Sequence, residues 1–299
     1  MEAELDCLII GAGPAGLISA TYLARFRRRV RVIHDGASRA ALIPVSHNYP
    51  GFPDGISGND LLARLRQQAE SYGVQIAAGR IDKLTRVPEG RFSAHLDGGD
   101  IQAKKIILAT GVIDIEPQLP NLSDAIRRGY VRHCPICDAY EVIDRKVAVI
   151  GSDRHAVEEA MFIRHYTPDI TFLTLGRELP PSDRQQLTEA GMVVVEEPLA
   201  ELDLVGERIS AVRLLSGRVH RFDTLYSALG AKTRSELALA LGVEQTDDHT
   251  LVTDAHQQTT VPGLYAAGDV VQTLNQIAVA AGQAALASTH IHNVLRGAA

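Results

Sequence analysis

The sequence predicts an α/β fold of two doubly wound units, the second inserted into the first. Its first segment, "LDCLIIGAGPAGLISATYLARF", is expected to form a strand, a tight glycine turn and a helix. The unbroken apolar run is typical of a parallel strand covered on both faces. A second strand, turn and helix are predicted in "KVAVIGSDRHAVEEAMFIRHY", which begins at Lys146. Strand-like runs on either side of it, "KKIILATGV" and "VPGLYAAGDV", indicate that one doubly wound unit interrupts another.

The chain has 299 residues, which is enough for two domains of ordinary size. Two stretches of the sequence are suited to be the linkers along which the chain passes from one domain to the other. "DIEPQLP" at 114–120 and "EQTDDH" at 244–249 are polar or contain proline, as linkers between domains do. We therefore expect residues 1–115 and 246–299 to form one discontinuous unit, and residues 116–245 to form the inserted unit.

Composition and charge narrow the possible partners and locations. The formal net charge is -6, which gives no indication of a nucleic-acid partner. The amino terminus, "MEAELD", has no basic region followed by an apolar core, so no signal peptide is expected. The apolar segment 276–295 contains Gln, Ser, Thr, His and Asn. It is predicted to be a buried Ala-rich helix rather than a membrane span, and the expected location is the cytoplasm.

The first glycine turn, "GAGPAG", has the spacing G-x-G-x-x-G. Gly11 permits the tight turn, Gly13 lets a pyrophosphate approach the backbone, and Gly16 lets the helix pack closely on the strand. The helix that follows presents the positive end of its dipole to the phosphates. This combination, directly after a strand near the start of the chain, predicts a dinucleotide site.

Polar residues downstream of this turn have two interpretations each. Asp35 follows the second strand, "VRVIHDG", where an acid can bind the ribose hydroxyl of a dinucleotide, but a turn residue is also compatible. Asn48 lies in the polar stretch "SHN", which suits either a loop beside a bound cofactor or a surface turn. Asn59 or Asp60 is expected to cap the amphipathic helix that comes next.

The cysteines indicate redox chemistry rather than a metal site. Cys7 lies in the apolar run of the first strand and is expected in the core. Cys134 and Cys137 form the C-x-x-C of "VRHCPICDAYE". A structural zinc needs about four ligands, and only His133 is an obvious nearby third, so no metal is expected. In a reducing cytoplasm such pairs are usually metal ligands or redox centres, which leaves a redox couple as the favoured interpretation.

Four motifs in order, "GAGPAG", "ATGV", "CPICD" and "AAGDV", together resemble the low-molecular-weight thioredoxin reductases and their relatives among the FAD-dependent disulfide oxidoreductases. The resemblance covers nearly the whole chain and implies that FAD lies along the first unit. The residues that would contact FAD come from the glycine turn, the polar loop, two strand ends and the start of the last helix: Gly11, Gly13, Pro14, Ala15, Gly16, Asn48, Thr110, Gly111, Gly268, Asp269, Gln276 and Ile277. Asp269 would hold the ribityl chain. The amino terminus of the last helix would face the isoalloxazine and stabilise negative charge there.

The resemblance also implies roles around the C-x-x-C pair. Cys137 would be the thiol on the flavin side, Cys134 the thiol that attacks the substrate disulfide, and Asp138 the acid that moves a proton to or from a thiolate. A carboxylate that favours the first turn of a helix is the alternative for Asp138. His133 has no family counterpart and is expected at the surface. The substrate would be a thioredoxin-like protein or a small disulfide, and the family implies a homodimer whose domains move about a hinge.

The second glycine turn departs from the family pattern, which is roughly G-G-G-x-x-A. In "GSDRHA", Gly151 and Ala156 remain, but Asp153 places a side chain and a negative charge where a pyrophosphate should approach. Only Arg177 is basic where the 2′-phosphate of NADPH would bind, and Glu178 follows it. The sequence therefore predicts weak NADPH binding and another electron donor. The resemblance implies a candidate, because some members of the wider family take electrons from a ferredoxin-type protein.

Three other functions remain open on this sequence. The protein could be an ordinary NADPH-dependent thioredoxin reductase, or it could run in reverse as a dithiol oxidase that passes electrons to oxygen. It could also be a flavin-binding module that senses redox state without turnover. The intact "CPICD" argues against this last function, because a binding module needs no proton-handling acid beside a dithiol.

Overall fold

The structure is a computed structural model that describes residues 4–36, 38–205, 208–272 and 274–297. Its strands, in chain order, are β1 (Leu5–Ile10), β2 (Val30–His34), β3 (Gln75–Ala78), β4 (Ile81–Val87), β5 (Arg91–Leu96), β6 (Gly99–Leu108), β7 (Val112–Asp114), β8 (Val131–Arg132), β9 (Val147–Ile150), β10 (Ile170–Leu173), β11 (Val193–Val195), β12 (Leu199–Val205), β13 (Arg208–Leu214), β14 (Val219–His220), β15 (Thr224–Ser227), β16 (Ala231–Thr233) and β17 (Leu264–Ala266). Its α-helices are α1 (Pro14–Arg25), α2 (Gly58–Ser71), α3 (Leu122–Arg127), α4 (Pro135–Asp138), α5 (Arg154–Ile163), α6 (Pro181–Glu189), α7 (Glu236–Leu239) and α8 (Ile277–Leu295). Short 3₁₀ helices lie at Arg39–Leu42, Pro88–Gly90 and Ala139–Val142.

The first sheet has the strand order β3-β2-β1-β6-β5-β4, and β17 pairs with β6. Strands β1, β2, β3, β17 and the second half of β6 are parallel, whereas β4, β5 and the first half of β6 form an antiparallel meander. Cys7, Leu8 and Ile9 of β1 are fully buried, as a parallel strand covered on both faces requires. Helices α1 and α8 pack together against this sheet, which confirms the predicted Ala-rich last helix. Among the helices of the described ranges, none is both long and apolar enough to cross a bilayer.

The second sheet is wholly parallel, with the order β11-β10-β9-β15-β8. Val147, Ala148, Val149 and Ile150 of β9 are all fully buried, and α5 covers this strand through Ala156. A separate antiparallel ribbon is formed by β12, β13 and β14. Each sheet is covered by its own core clusters of side chains, so the predicted α/β fold of two doubly wound units is confirmed.

The chain passes between the two sheets along β7 and β16, which pair antiparallel with Asp114 opposite Ala231. The outgoing and returning segments therefore lie side by side. Beyond β16, Ala238 of α7 and Val243 are buried in a core cluster of the first sheet. The chain thus returns to the first unit upstream of residue 246, which is the position at which the sequence predicted the boundary. The polar stretch "EQTDDH" forms a turn within the first unit, and such a turn has the same composition as a linker.

The cap of α2 differs from the expectation of Asn59 or Asp60. Ser57 caps this helix: its Oγ accepts a hydrogen bond from the Asp60 amide at 3.0 Å and donates to the Asp60 carboxylate at 2.8 Å. Asp60 instead lies in the first turn, where a negative charge is favourable. The two side chains act as a pair, which a search for a single capping residue does not detect.

Candidate functional site

A cavity of about 710 Å³ runs between the first unit and the inserted unit, a volume within the range of cofactor sites. Its walls come from the glycine turn after β1, the ends of β6 and β17, the loop before α2, the start of α8 and the segment around α4. The structure brings most of the predicted site residues to this one cavity: Gly11, Gly13, Pro14, Ala15, Asp35, Asn48, Thr110, Gly111, Cys134, Cys137, Asp138, Gly268, Asp269, Gln276 and Ile277. Gly16 does not line the cavity.

Each glycine of the first turn occupies its position for a separate physical reason. Gly11 has φ +113°, and a Cβ there would lie 2.2 Å from Ala109 O. A Cβ on Gly16 would lie 1.9 Å from Gly11 O. Gly13 is different, because a Cβ there would meet only Ser38 Oγ, at 3.5 Å. No described atom of the protein forces a glycine at this position, so the open side of Gly13 is space for a ligand.

The amino terminus of α1 contributes to the same wall of the cavity without a capping side chain. Pro14 occupies its first turn, where a proline is pre-organised for the helix and costs no hydrogen bond. The remaining backbone N–H groups and the positive end of the helix dipole form a site for an anion. Together with the open side of Gly13, this end of the helix fits the pyrophosphate of FAD.

Replacing Gly13 with glutamate is expected to weaken FAD binding at least about tenfold, or about 1.4 kcal/mol. The new carboxylate would stand where the pyrophosphate approaches, and two unit charges ~4 Å apart repel by ~4 kcal/mol at an effective dielectric of ~20 before screening by solvent. Quenching of flavin fluorescence on titration of the apoprotein measures the affinity.

Gly282→Glu is the matched control for this substitution, because a Cβ at Gly282 of α8 would meet no atom of the described residues within 4 Å. This control variant should bind FAD with the affinity of the wild type. Equal affinities for Gly13→Glu and wild-type protein would contradict the assignment of Gly13 to the pyrophosphate.

Asp269 lies in a cluster of ion pairs at the cavity. Arg39 is 3.3 Å from the Asp269 carboxylate, and it also donates two hydrogen bonds to Asp114, at 2.6 and 2.9 Å. Burial raises the pKa of Asp269, and the Arg39 guanidinium offsets this only in part. The carboxylate expected to hold the ribityl chain therefore has a cation beside it. Arg39 belongs to a short 3₁₀ helix without a motif, so no pattern in the sequence predicted its part in the site.

Arg234, directly after β16, joins three of the predicted cofactor residues. Its guanidinium pairs with the Asp35 carboxylate. Its carbonyl oxygen accepts a hydrogen bond from Thr110 Oγ1 at 2.6 Å, and its amide donates to Gly111 O at 3.0 Å. Asp35 is thus a partnered carboxylate at the cavity wall. No local pattern in the sequence marks Arg234, so its place in the site was not predicted.

Cys134 and Cys137 form a disulfide at the start of α4. The Cys137 amide donates a hydrogen bond to Cys134 Sγ at 3.2 Å, so Cys134 caps this short helix. Gln276 lies against the pair, with Nε2 at 3.4 Å from Cys134 Sγ and at 3.3 Å from Cys137 Sγ. Within the described ranges, no group of three or more metal-ligating side chains is found. The disulfide and the start of α8 therefore meet at one end of the cavity, a contact that the sequence did not predict.

The Asp138 side chain is held by two residues of the inserted unit. Tyr226 OH donates to Asp138 Oδ1 at 2.8 Å, and Arg132 Nη1 lies 3.3 Å from Asp138 Oδ2. Burial raises the pKa of Asp138, although the Arg132 charge and the Tyr226 hydrogen bond oppose the shift. The carboxylate makes no capping bond to a helix amide. It is therefore an acid with an elevated pKa at the residue that directly follows Cys137.

The expectation of a surface position for His133 is wrong. Its side chain is 12% exposed, and Nε2 lies 2.6 Å from Glu116 Oε1. Burial lowers the pKa of His133, but the Glu116 carboxylate and the nearby Asp114 outweigh burial, so the pKa is raised. A single histidine between polar residues carries no sequence signal that separates an exposed side chain from a paired one.

The second glycine turn lacks the open geometry of the first. Asp153 caps α5, its Oδ1 accepting a hydrogen bond from the Ala156 amide at 3.0 Å. A Cβ on Gly151 would lie 2.1 Å from the Ala156 Cβ, so this glycine serves packing. The Arg177 guanidinium donates a hydrogen bond to Ser152 Oγ, at 3.5 Å. The helix terminus that would bind a pyrophosphate is thus occupied by a carboxylate of the protein itself.

Residues 5–284 match the family of pyridine nucleotide-disulphide oxidoreductases. The thioredoxin reductase of Aquifex aeolicus is 30% identical over 303 residues, covering 98% of this chain and 94% of that protein. The thioredoxin reductase of Listeria innocua is 29% identical over 300 residues, covering 96% of this chain and 92% of that protein.

Two solved structures are also similar to this chain. The crystal structure of HlmI superposes with a TM-score of 0.92 at 30% identity, covering 100% of this chain and 94% of that chain. The thioredoxin reductase of Streptococcus pyogenes superposes with a TM-score of 0.92 at 26% identity, covering 99% and 100% of the two chains. The chain therefore belongs to the pyridine nucleotide-disulphide oxidoreductases and is a flavin-dependent disulfide reductase of the thioredoxin reductase type.

Proposed function

We propose that this protein passes electrons from a donor other than NADPH, through FAD, to the Cys134–Cys137 disulfide. From there the electrons go to the disulfide of a thioredoxin-like protein or of a small molecule. The observation that carries the donor assignment is the contrast between the two glycine turns, one open at Gly13 and one capped by Asp153. The name of the relatives, thioredoxin reductase, supports the protein substrate, and the family resemblance supports a homodimer.

FAD would be held by the first glycine turn, Asp269 and the start of α8, and it supplies two-electron transfer when bound. The protein's own groups set the electrostatics at the other end of the cavity. No described side chain caps α8, so its free N–H groups and its dipole stabilise negative charge there. The disulfide lies at this same end, in contact with Gln276.

The disulfide exchange proceeds through the two cysteines and one acid. Two electrons and one proton convert the pair into a Cys134 thiolate and a Cys137 thiol. The Cys134 thiolate attacks the substrate disulfide, forms a mixed disulfide and releases one substrate thiolate. Asp138 then takes the Cys137 proton, and the new thiolate attacks Cys134 Sγ, which re-forms the enzyme disulfide and releases the second substrate thiolate. Asp138 returns its proton to a departing thiolate, and the substrate has gained both electrons.

The second turn disfavours a nicotinamide donor in two ways. The Asp153 carboxylate already uses the Ala156 amide at the start of α5, and its charge repels a pyrophosphate. The nearby cation Arg154 has acidic partners of its own, Glu158 and Asp183, so it does not offset this charge. A low-potential protein donor of the ferredoxin type avoids both obstacles, because it docks on the surface and need not enter the turn.

In anaerobic stopped-flow mixing, micromolar NADPH and NADH are expected to bleach the flavin slowly or not at all. Dithionite and a reduced ferredoxin-type protein should bleach it readily. The measurement is the decay of flavin absorbance against donor concentration. Rapid bleaching by micromolar NADPH would make the protein an ordinary NADPH-dependent thioredoxin reductase. Oxygen uptake on addition of a small dithiol would favour the dithiol-oxidase direction instead.

Two substitutions of Asp153 separate its charge from its size. Asp153→Asn keeps an acceptor for the Ala156 amide and removes the charge, whereas Asp153→Gly removes both. NADPH affinity should increase in the order wild type, asparagine, glycine, with about a tenfold gain for glycine. The gain should stop short of the family norm because Arg177 remains the lone basic group at the 2′-phosphate. Unchanged NADPH affinity in both variants would show that Asp153 is not the cause of weak NADPH binding.

A further inference from the structure

Gln276 connects three parts of the site that are far apart in sequence. Its Nε2 contacts both sulfurs of the disulfide, at 3.4 and 3.3 Å. Its Oε1 accepts a hydrogen bond from Asn48 Nδ2 at 2.9 Å, and Asn48 Oδ1 accepts one from Ser46 Oγ at 3.1 Å. A chain of hydrogen bonds therefore runs from the polar loop before α2, through the residue that precedes α8, to the sulfur atoms that react.

The backbone carbonyl of Ile136 fixes the direction of this chain. Asn48 Nδ2 also reaches Ile136 O, at 3.5 Å, and a carbonyl oxygen can only accept. The NH₂ group of Asn48 must therefore point toward Gln276, whose oxygen must face Asn48. This leaves the NH₂ group of Gln276 facing the disulfide. Its two hydrogens can serve Cys134 and Cys137 together.

We infer that Gln276 is a catalytic residue of the disulfide reduction, with Asn48 as the positioning residue that orients its amide. Reduction adds two electrons and one proton to the Cys134–Cys137 bond and leaves one thiolate and one thiol. A neutral disulfide gains little from an N–H donor, whereas a thiolate gains a charge-assisted hydrogen bond. Gln276 therefore stabilises the reduced pair over the oxidised pair, lowers the pKa of the thiol and makes the disulfide easier to reduce.

This role is separate from contact with the cofactor. The family resemblance places Gln276 at the start of α8 among the residues that would contact FAD, but it assigns no contact between the Gln276 side chain and the disulfide. A side chain serving only to pack the helix start would need no donor aimed at sulfur and no oriented partner such as Asn48. The inference rests on the proposed function, in which Cys134 and Cys137 are the redox-active pair.

The test is the equilibrium of the flavin-loaded protein with dithiothreitol, which gives up two electrons as it closes to its cyclic disulfide. The reduced fraction of the pair is read by quenching with iodoacetamide and mass spectrometry. In Gln276→Leu the equilibrium should shift about tenfold toward the disulfide, or about 30 mV for a two-electron couple. The pKa of the attacking thiol, from the pH dependence of alkylation, should rise by about 1. Gln276→Glu, which adds a negative charge beside the thiolate, should shift both quantities in the same direction.

Asn48→Leu tests the positioning role. It should shift the equilibrium severalfold in the same direction, because the Gln276 amide is then free to rotate. Combined with Gln276→Leu it should add nothing, since both residues act through one donor. Gln272→Leu is the matched control: this amide is exposed, four residues ahead of Gln276, and its loss should leave the equilibrium and the alkylation profile unchanged.

The outcomes distinguish this inference from the function on which it rests. A wild-type cysteine pair that never exchanges with dithiothreitol would contradict both the role of Gln276 and the proposed function. A normal wild-type pair together with unshifted Gln276→Leu and Gln276→Glu variants would overturn the role of Gln276 alone. Full additivity of Asn48→Leu and Gln276→Leu would overturn the positioning role of Asn48.

Discussion

Cys134→Ser is expected to lower turnover of disulfide substrates on the order of 10⁴-fold or more, the scale observed when a covalent nucleophile is removed. A serine hydroxyl is not ionised near neutral pH and cannot attack a disulfide as a thiolate does. Cys137→Ser should lower steady-state turnover to a similar extent, because the mixed disulfide then has no resolving thiol. Reduction of a dye-linked small disulfide, followed with dithionite-reduced protein, measures both losses.

Single-turnover trapping separates the roles of the two cysteines. Cys137→Ser should accumulate a mixed disulfide between Cys134 and the substrate, visible as added mass, whereas Cys134→Ser should trap nothing. The opposite pattern would exchange the two assignments. Cys7→Ala is the control, because Cys7 is fully buried in β1 and burial raises the pKa of its thiol far above the usual range. Its turnover should match that of the wild type.

Asp138→Asn is expected to lower turnover about 10²- to 10⁴-fold, the usual contribution of a general acid or base. Asparagine keeps the size of the side chain and a contact for Tyr226, but it cannot take the proton that the Cys137 thiol must lose. Steady-state rates across pH measure the effect. A loss smaller than about tenfold would indicate that solvent moves this proton instead.

The pH dependence of turnover should report the ionisation of Asp138. Burial raises its pKa, so the carboxylate form is lost at a higher pH than for an ordinary aspartate. Turnover that needs the base should therefore fall as pH drops through this raised pKa. In Asp138→Asn, this acidic limb of the pH profile should be absent. Tyr226→Phe removes a hydrogen bond that favours the carboxylate, so it should move the limb to still higher pH. An unmoved limb in Tyr226→Phe would argue that another group produces it.

Stability gives an independent check on Asp138. An acid whose pKa is higher in the folded state favours folding when protonated, and this contribution is lost as pH rises through the folded pKa. Near neutral pH, Asp138→Asn should therefore not lower the free energy of unfolding through loss of the charge. Denaturant unfolding at pH 7 measures this. A strongly destabilised variant would show that Asp138 serves the fold rather than the chemistry.

The elements that the sequence predicted, among them β1, α1, β9, α5 and α8, were predictable because their signals are local. A run of apolar residues, a glycine at a required spacing and a small-residue helix each reflect backbone and packing demands within about twenty neighbouring positions. The cap of α2 was missed at the same scale, because Ser57 and Asp60 act as a pair. The return at β16 was missed for a different reason, since its partner β7 is far away in sequence.

Local patterns in the chain indicate which kinds of chemistry are available: a phosphate-binding turn around Gly13, a dithiol with an adjacent acid, and an acidic side chain in the second turn. Which of these groups act together depends on contacts that form when the chain folds. Gln276 meets Asn48 across 228 positions, Arg39 meets Asp269 across 230, and Tyr226 meets Asp138 across 88. Hydrogen bonds at such separations follow from how the two sheets enclose the cavity, and they leave no periodic or spacing pattern in the chain.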